Sequence, residues 1–408
     1  FNARELMRRL AIEPPRTADP NVLANVGLTA KLLYDGKGLQ LEELKGQVDE
    51  THITGKAQVP SFDPLAARFQ LALDQINLDR YLAPAEEGKP VPEKAPEKGP
   101  AEAGELPLET LRKLDLDGTV AIGQMTVKKL HASDVKTRIT AHNGVIKAEP
   151  VAQLYQGRLR GLLTLDATSN DPKISMQQQL DGVQAGSLLE DLVGVARILG
   201  VADLNLAVGM HGASMDDWLR TMSGKGSFKF ADGAINGINI AQAIQTARAK
   251  LANEPEPAEA QQAQTPFNVL QGSLQINEGL VLNRDFNLAS SQFKVAGDGQ
   301  FNLRTQVVDY TLNVNLLEPL LKSDNKLLAE LQNVPIPVHI SGNYRDLGVS
   351  VDLQQAVERA GKEQLQAVEE KAKTRVQEEV QQRQQEVEQK LQEQVQDKLQ
   401  DLLRPKPK

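Results

Sequence analysis

Residues able to do chemistry are present but scattered. His52, His131, His142, His211 and His339 stand alone, with no HExxH and no other metal-ligand spacing. Asp115-Leu116-Asp117-Gly118 begins like a calcium loop, but Thr126 stands where the bidentate glutamate belongs and strand residues follow at once. Gly224-Lys225-Gly226 lacks the spacing and the hydroxyl residue of a phosphate-binding loop, and no GxSxG elbow occurs. Without cysteine there is no thiolate ligand, thiol nucleophile or disulfide. The carboxylates fall in turns or on strand positions that face water, and none pairs as an acid/base couple. The residues therefore point to a non-enzymatic protein with no cofactor and no metal.

What the sequence has in quantity is alternation. Apolar residues recur two apart at Leu71, Leu73 and then Ile76; at Leu274 and Ile276; at Leu280 and Leu282; and at Phe286 and Leu288. The step continues at Phe293 and Val295, at Phe301 and Leu303, and through Leu312, Val314 and Leu316. Side chains two apart on a strand share a face, and mostly polar residues separate these. The pattern predicts antiparallel strands with one apolar and one wet face. Turns are expected at Glu278-Gly279, at Asn283-Arg284-Asp285 and at Asp298-Gly299. The expected fold is mainly β, an elongated antiparallel sheet forming a groove or open barrel from repeated strand units, with a few short helices and a long C-terminal helix.

Two repeats support this. Gly226–Gly233 matches Gly272–Gly279, each read as a strand and an acid-Gly turn. A unit with an apolar residue two before a glycine and another four after it recurs at Ile53-Gly55-Val59, Leu159-Gly161-Leu165 and Val295-Gly297-Phe301. Helices are expected after the Asn2 cap, at Asp19-Pro20, over Ser187–Leu199, around Trp218 behind Ser214, over Asn239–Leu251 and over Glu318–Leu331. The divisions are 1–83 (helix and first β-repeat), 84–107 (a Pro/Glu/Lys-rich linker or loop), 108–252 (second β-repeat with helices), 253–266 (linker), 267–352 (third β-repeat) and 353–408 (a Gln/Glu-rich amphipathic helix).

The chain has 408 residues, with 46 basic against 54 acidic and a net charge of −8. That balance, with 4% aromatic residues, argues against nucleic acid as a partner. No run of about 18 apolar residues exists to cross a bilayer as a helix. The chain begins at Phe1, so any targeting or anchoring segment is expected upstream. Alternation alone leaves the apolar face open to two readings, a filled core or a trough that holds lipid chains on residues such as Phe286, Phe301, Leu312 and Val314.

Three segments resemble the AsmA family: Phe230–Ile240, Phe69–Leu82 and Pro15–Pro20. The first resembles the family's F-x-x-G-x-I-x-G-I-D-L stretch, and similarity extends over most of residues 1–352. The proline-rich inserts and the Gln/Glu-rich tail depart from it. The resemblance implies a periplasmic protein of Gram-negative bacteria held in the inner membrane by an N-terminal helix. It also implies a β-groove like that of the TamB and YhdP bridge-like lipid transfer proteins, through which phospholipid moves toward the outer membrane. No catalytic residues come with it. The expected partners are phospholipid acyl chains, the inner membrane through the upstream anchor, and the outer membrane or its proteins. The alternative function is a scaffold or chaperone for outer-membrane proteins, working through strand edges or the tail helix.

Overall fold

The computed structural model describes all residues except 11, 35, 37, 83–105, 259–262, 318–330, 332–333, 362–372, 375–376, 379–380 and 383–408. Seventeen strands form one sheet. The first four are β1 (Val26–Tyr34), β2 (Leu39–Val48), β3 (Thr51–Phe62) and β4 (Leu65–Asn77). Then come β5 (Asp115–Val127), β6 (Leu130–His142), β7 (Val145–Leu154), β8 (Gly157–Asp166), β9 (Lys173–Gln184), β10 (Val201–His211) and β11 (Ser223–Asn236). The last six are β12 (Gln264–Asn277), β13 (Leu280–Ala289), β14 (Phe293–Asn302), β15 (Val307–Leu316), β16 (Ile336–Asn343) and β17 (Asp346–Val351).

Each strand pairs with the next in the chain, and every pair but one is antiparallel. The exception is β4–β5, which run parallel from Ala66↔Asp115 to Asn77↔Thr126. A tight turn cannot join parallel neighbours, because the chain must return to the starting end of the sheet first. The proline-rich insert falls in this return.

The helices are α1 (Ala3–Arg9), α2 (Leu108–Arg112), α3 (Ala185–Val193), α4 (Met215–Thr221) and α5 (Ile240–Ala252). The starts of α1, α4 and α5 follow the expected chemistry, while α2 and α3 begin without a side-chain cap. The Asn2 side chain accepts from the Glu5 N–H, Ser214 and Asp217 form a full capping box, and Asn239 accepts from the Gln242 N–H. The helix expected over Ser187–Leu199 instead stops at Val193, because Gly194 turns left-handed at φ 78°. Asp19-Pro20 lies in a turn without a helix. The expected helix Glu318–Leu331 lies almost entirely outside the described residues. Of the C-terminal helix, 353–361 is described and helical, and its later apolar stripe lies outside the described residues.

The turns need correction. Glu278-Gly279 is a two-residue hairpin with φ of 49° and 78°, as such a turn requires. Asn283-Arg284-Asp285 does not separate strands. It is a bulge inside β13, where the register jumps between Asn283 and Phe286. Asp298-Gly299 sits in the middle of β14, and Asp232-Gly233 sits inside β11. An acid-Gly pair serves a bulge or an uninterrupted strand as readily as a turn, so the dipeptide alone could not decide.

The N-terminal end is tied down by a carboxylate. Asp49 accepts from the N–H groups of Leu23, Ala24 and Asn25 and from the Tyr81 hydroxyl, and Arg80 bonds Asp19 at 2.9 Å. Burial acts to raise the Asp49 carboxyl, but the bonds from Leu23, Tyr81, Asn25 and Ala24 outweigh it and hold it below the ordinary 3.8. Burial and Asp49 together push the Tyr81 phenol up to about 12, so it stays a donor. A carboxylate with a lowered folded-state pKa stabilises the fold above its unfolded value, and that stabilisation is lost as pH falls. Asp49→Asn is therefore expected to cost about 2 kcal/mol at neutral pH. In urea titrations, the gap between variant and wild type should shrink as pH falls below the ordinary carboxyl value of 3.8.

Candidate apolar groove

Register decides which side chains share a face. One row of directly paired residues crosses all seventeen strands. It starts Leu32–Leu41–Ala57–Phe69–Gly118–Ile139 and runs on through Ala148–Leu163–Met176–Val208. It finishes Gly224–Ile276–Val281–Phe301–Val308–Gly342–Leu347. Every member is apolar or glycine. Sixteen steps of about 4.8 Å give an apolar line about 77 Å long.

The neighbouring row faces the other way and is polar. It reads Gln58–Arg68–Asp117–Thr140–Lys147–Thr164–Ser175. On this wet face an open hollow of about 870 Å³ is lined by Lys56, Gln70, Lys136, Arg138 and Glu149 among others. His52–Asp74 and His142–Asp115 contacts also sit exposed, at 2.8 and 2.7 Å. Among the described residues no group of three or more His, Asp or Glu could hold a metal ion.

The apolar face is not the same along its length. Over β12–β17 it is sealed. Ile240 and Ile244 of α5, Leu331, Val334, and Leu353, Ala356 and Ala360 of 353–361 share one core with Leu288, Phe293, Val295, Leu312, Val314, Leu316 and Ile336. The sheet also curls here. Arg197, in the loop before β10, donates to the Tyr344 carbonyl at 3.0 Å and to the Arg345 carbonyl in the β16–β17 turn. A flat sheet would set β10 and β16 at least about 29 Å apart.

Over β1–β9 much of the same face is half-exposed, although Val135, paired with Ile122, is buried. Leu71, Leu73, Val120, Ile122, Ile139 and Met176 are only partly buried, and Leu163 is 37% exposed. Small clusters close its margins. Leu188 of α3 joins Leu154, Leu180 and Val183, and Trp218 of α4 joins Val208, Met210 and Ile276.

The sixteen positions read from alternation therefore divide. Leu71 and Leu73 lie on the open section, and Ile76 is half-buried and paired with Met125. Leu274, Phe286, Phe301 and Leu303 are half-buried further along. Ile276 lies buried in the α4 cluster, while Leu288, Phe293, Val295, Leu312, Val314 and Leu316 are buried in the sealed core and unavailable to a ligand in this conformation. Leu280 and Leu282 face the other way. Val281 between them pairs with Ile276 and Phe301, and the bulge at Arg284-Asp285 restores the phase at Phe286. Ile139, Leu163 and Met176 complete the open stretch. Their alternation was visible, but only register shows that they continue the line from Leu71.

Glycine keeps the floor low. The three recurring units place Gly55, Gly161 and Gly297 on the apolar face, paired with Leu71, Gln178 and Leu312. At Gly118 the Phe69 ring lies over the backbone, and an added Cβ would fall 2.4–2.6 Å from three ring carbons. Gly118→Val is expected to lift that ring into the trough and cost about 2 kcal/mol by overpacking. Phe69→Ala in the same chain should recover most of the loss in thermal unfolding.

Among the described residues no helix is long and apolar enough to cross a membrane. No solved structure matches the chain. Protein AsmA of Escherichia coli (strain K12) is 24% identical over 341 residues, covering 79% of this chain and 54% of that protein. The chain thus spans about half the length of the curated relative it matches. A family model described as AsmA family matches residues 5–286, from α1 into β13, and leaves most of the sealed section outside the match. With more than half of its length matched, the chain belongs to the AsmA family.

Proposed function

We propose that this protein holds phospholipid acyl chains on the open apolar face of β1–β9, and supports outer-membrane biogenesis by handling lipid in the periplasm. The observation that carries the reading is the uninterrupted apolar row together with its half-exposed section. Burying an acyl chain there returns about 0.8 kcal/mol per methylene. Headgroups stay at the rim, where strand ends carry polar residues such as Asn77 and Asp166. Transfer needs no reacting side chain, only a path on which hydrocarbon never meets a polar step. Membership of the AsmA family supports an envelope location, with the chain held at the inner membrane by a segment outside it.

The sealed section bears on direction. Acyl chains on β1–β9 meet closed core beyond β12, so within this conformation they enter and leave along the open section. The test is purification without detergent, followed by lipid extraction and mass spectrometry. Phospholipid in stoichiometric amount is expected, and protein that never carries it would defeat the reading.

A further inference from the structure

The β1 end of the sheet has a feature that the groove does not explain. Antiparallel pairing puts the β1–β2 and β3–β4 turns on the same side as the connections after β6, β8, β12 and β14. Those later connections turn on polar residues, Asn143-Gly144, 168–171, Glu278-Gly279 and 304–306, with Val307 exposed at 47% beside the last, and the connection after β10 exposes Met215 at 50%; neither has an exposed aromatic residue. The first two differ. Leu32, Leu33 and Tyr34 lead into the β1–β2 turn at 62%, 44% and 70% exposure, and Phe62 and Leu65 flank the β3–β4 turn at 63% and 39%. Large side chains so exposed on two neighbouring tips are not spent on this fold.

We propose that these two tips form a membrane-docking surface that dips into the interface of a lipid bilayer. Two separate turns flanked by exposed aromatic residues suit a deformable interface, and Tyr and Phe partition to that depth. Among the described residues the two tips carry no excess of positive charge. Lys31 pairs with Glu42 at 3.6 Å on the flank of the first tip, and Asp63 lies at the second. Docking therefore rests on apolar burial and does not depend on anionic lipid. Leu32 is also the first member of the apolar row, directly paired with Leu41. A tip seated in a bilayer places that end of the row at the hydrocarbon boundary, so a lipid leaving the bilayer would meet Leu32, Leu41, Ala57 and Phe69 without crossing water. This seat deepens the lipid-handling reading and rests on it for its purpose, though not for its measurement.

The experiment is flotation of the full chain with vesicles of phosphatidylcholine alone and of phosphatidylethanolamine with phosphatidylglycerol. Wild type should float with both. The variant Tyr34→Ser/Phe62→Ser/Leu65→Ser should lose at least about tenfold in partitioning, since its apolar burial is removed. Its circular dichroism should be unchanged. Trp218 is the only tryptophan, so Phe62→Trp in a Trp218→Phe background gives a single reporter at the tip. Its emission should shift to the blue when vesicles are added. Wild type that does not float, a triple variant that floats equally well, or an unshifted emission overturns the proposal. So does tip-dependent self-association without vesicle binding, which would make the tips a contact between copies. Flotation that depends on the tips in a protein that never carries lipid would keep the seat and remove the groove reading.

Discussion

Leu312→Glu should unfold the C-terminal end of the sheet. Leu312 is 1% exposed, directly paired with Gly297 and Val338, and sits in the core closed by α5 and 353–361. A carboxylate there has no donor to meet it and leaves the volume of the leucine badly filled. The expected cost is at least about 4 kcal/mol, the range reserved for unpaired charges and failed core packing. Leu312→Ala should cost about 3 kcal/mol by the cavity it leaves. Limited proteolysis of β12–β17 and urea unfolding would report both. A Leu312→Glu protein that folds normally but no longer carries lipid would mean that the core is open and the sealed section is groove after all.

Leu163→Glu is expected to do the reverse. Leu163 is on the same apolar row but 37% exposed, between Ala148 and Met176. The glutamate can reach water, so the stability loss should stay near or below about 1 kcal/mol. A charge in the middle of the open section nevertheless interrupts the surface on which a chain would lie. Co-purified phospholipid should fall at least about fivefold, in line with the roughly 0.8 kcal/mol carried by each methylene displaced. Measured together, the two variants separate core from groove, because one loses the fold and the other only the cargo. Equal lipid content in wild type and Leu163→Glu would count against acyl chains lying on β7–β9.

Much of the architecture was legible because strand chemistry is local. Alternation at Leu71-Leu73 and at Phe293-Val295, the caps at Asn2, Ser214 and Asn239, and the Glu278-Gly279 turn are set within a few residues, and each appears where the pattern placed it. The errors also have a common origin. Arg284-Asp285 reads as a turn, but its neighbours on β14 keep it in the sheet as a bulge, and that single extra step turns Leu280 and Leu282 to the wet face. A two-residue period has no memory of phase across a bulge, so no count of alternating residues could have assigned that face.

The amino-acid order was enough for the class of fold, the presence of a continuous greasy side and the absence of cysteine chemistry, because these follow from local backbone preference and composition. Whether that side meets solvent or the protein's own helices was not in the order at all. Filled core and open trough demand identical alternation, and the choice is made by distant segments. Ile240 and Ile244 fold back over β12–β17, and Arg197 draws the loop before β10 onto the β16–β17 turn, while Leu71 and Leu163 are left half-uncovered. Such contacts join residues far apart in the chain, and only the assembled sheet brings them within reach.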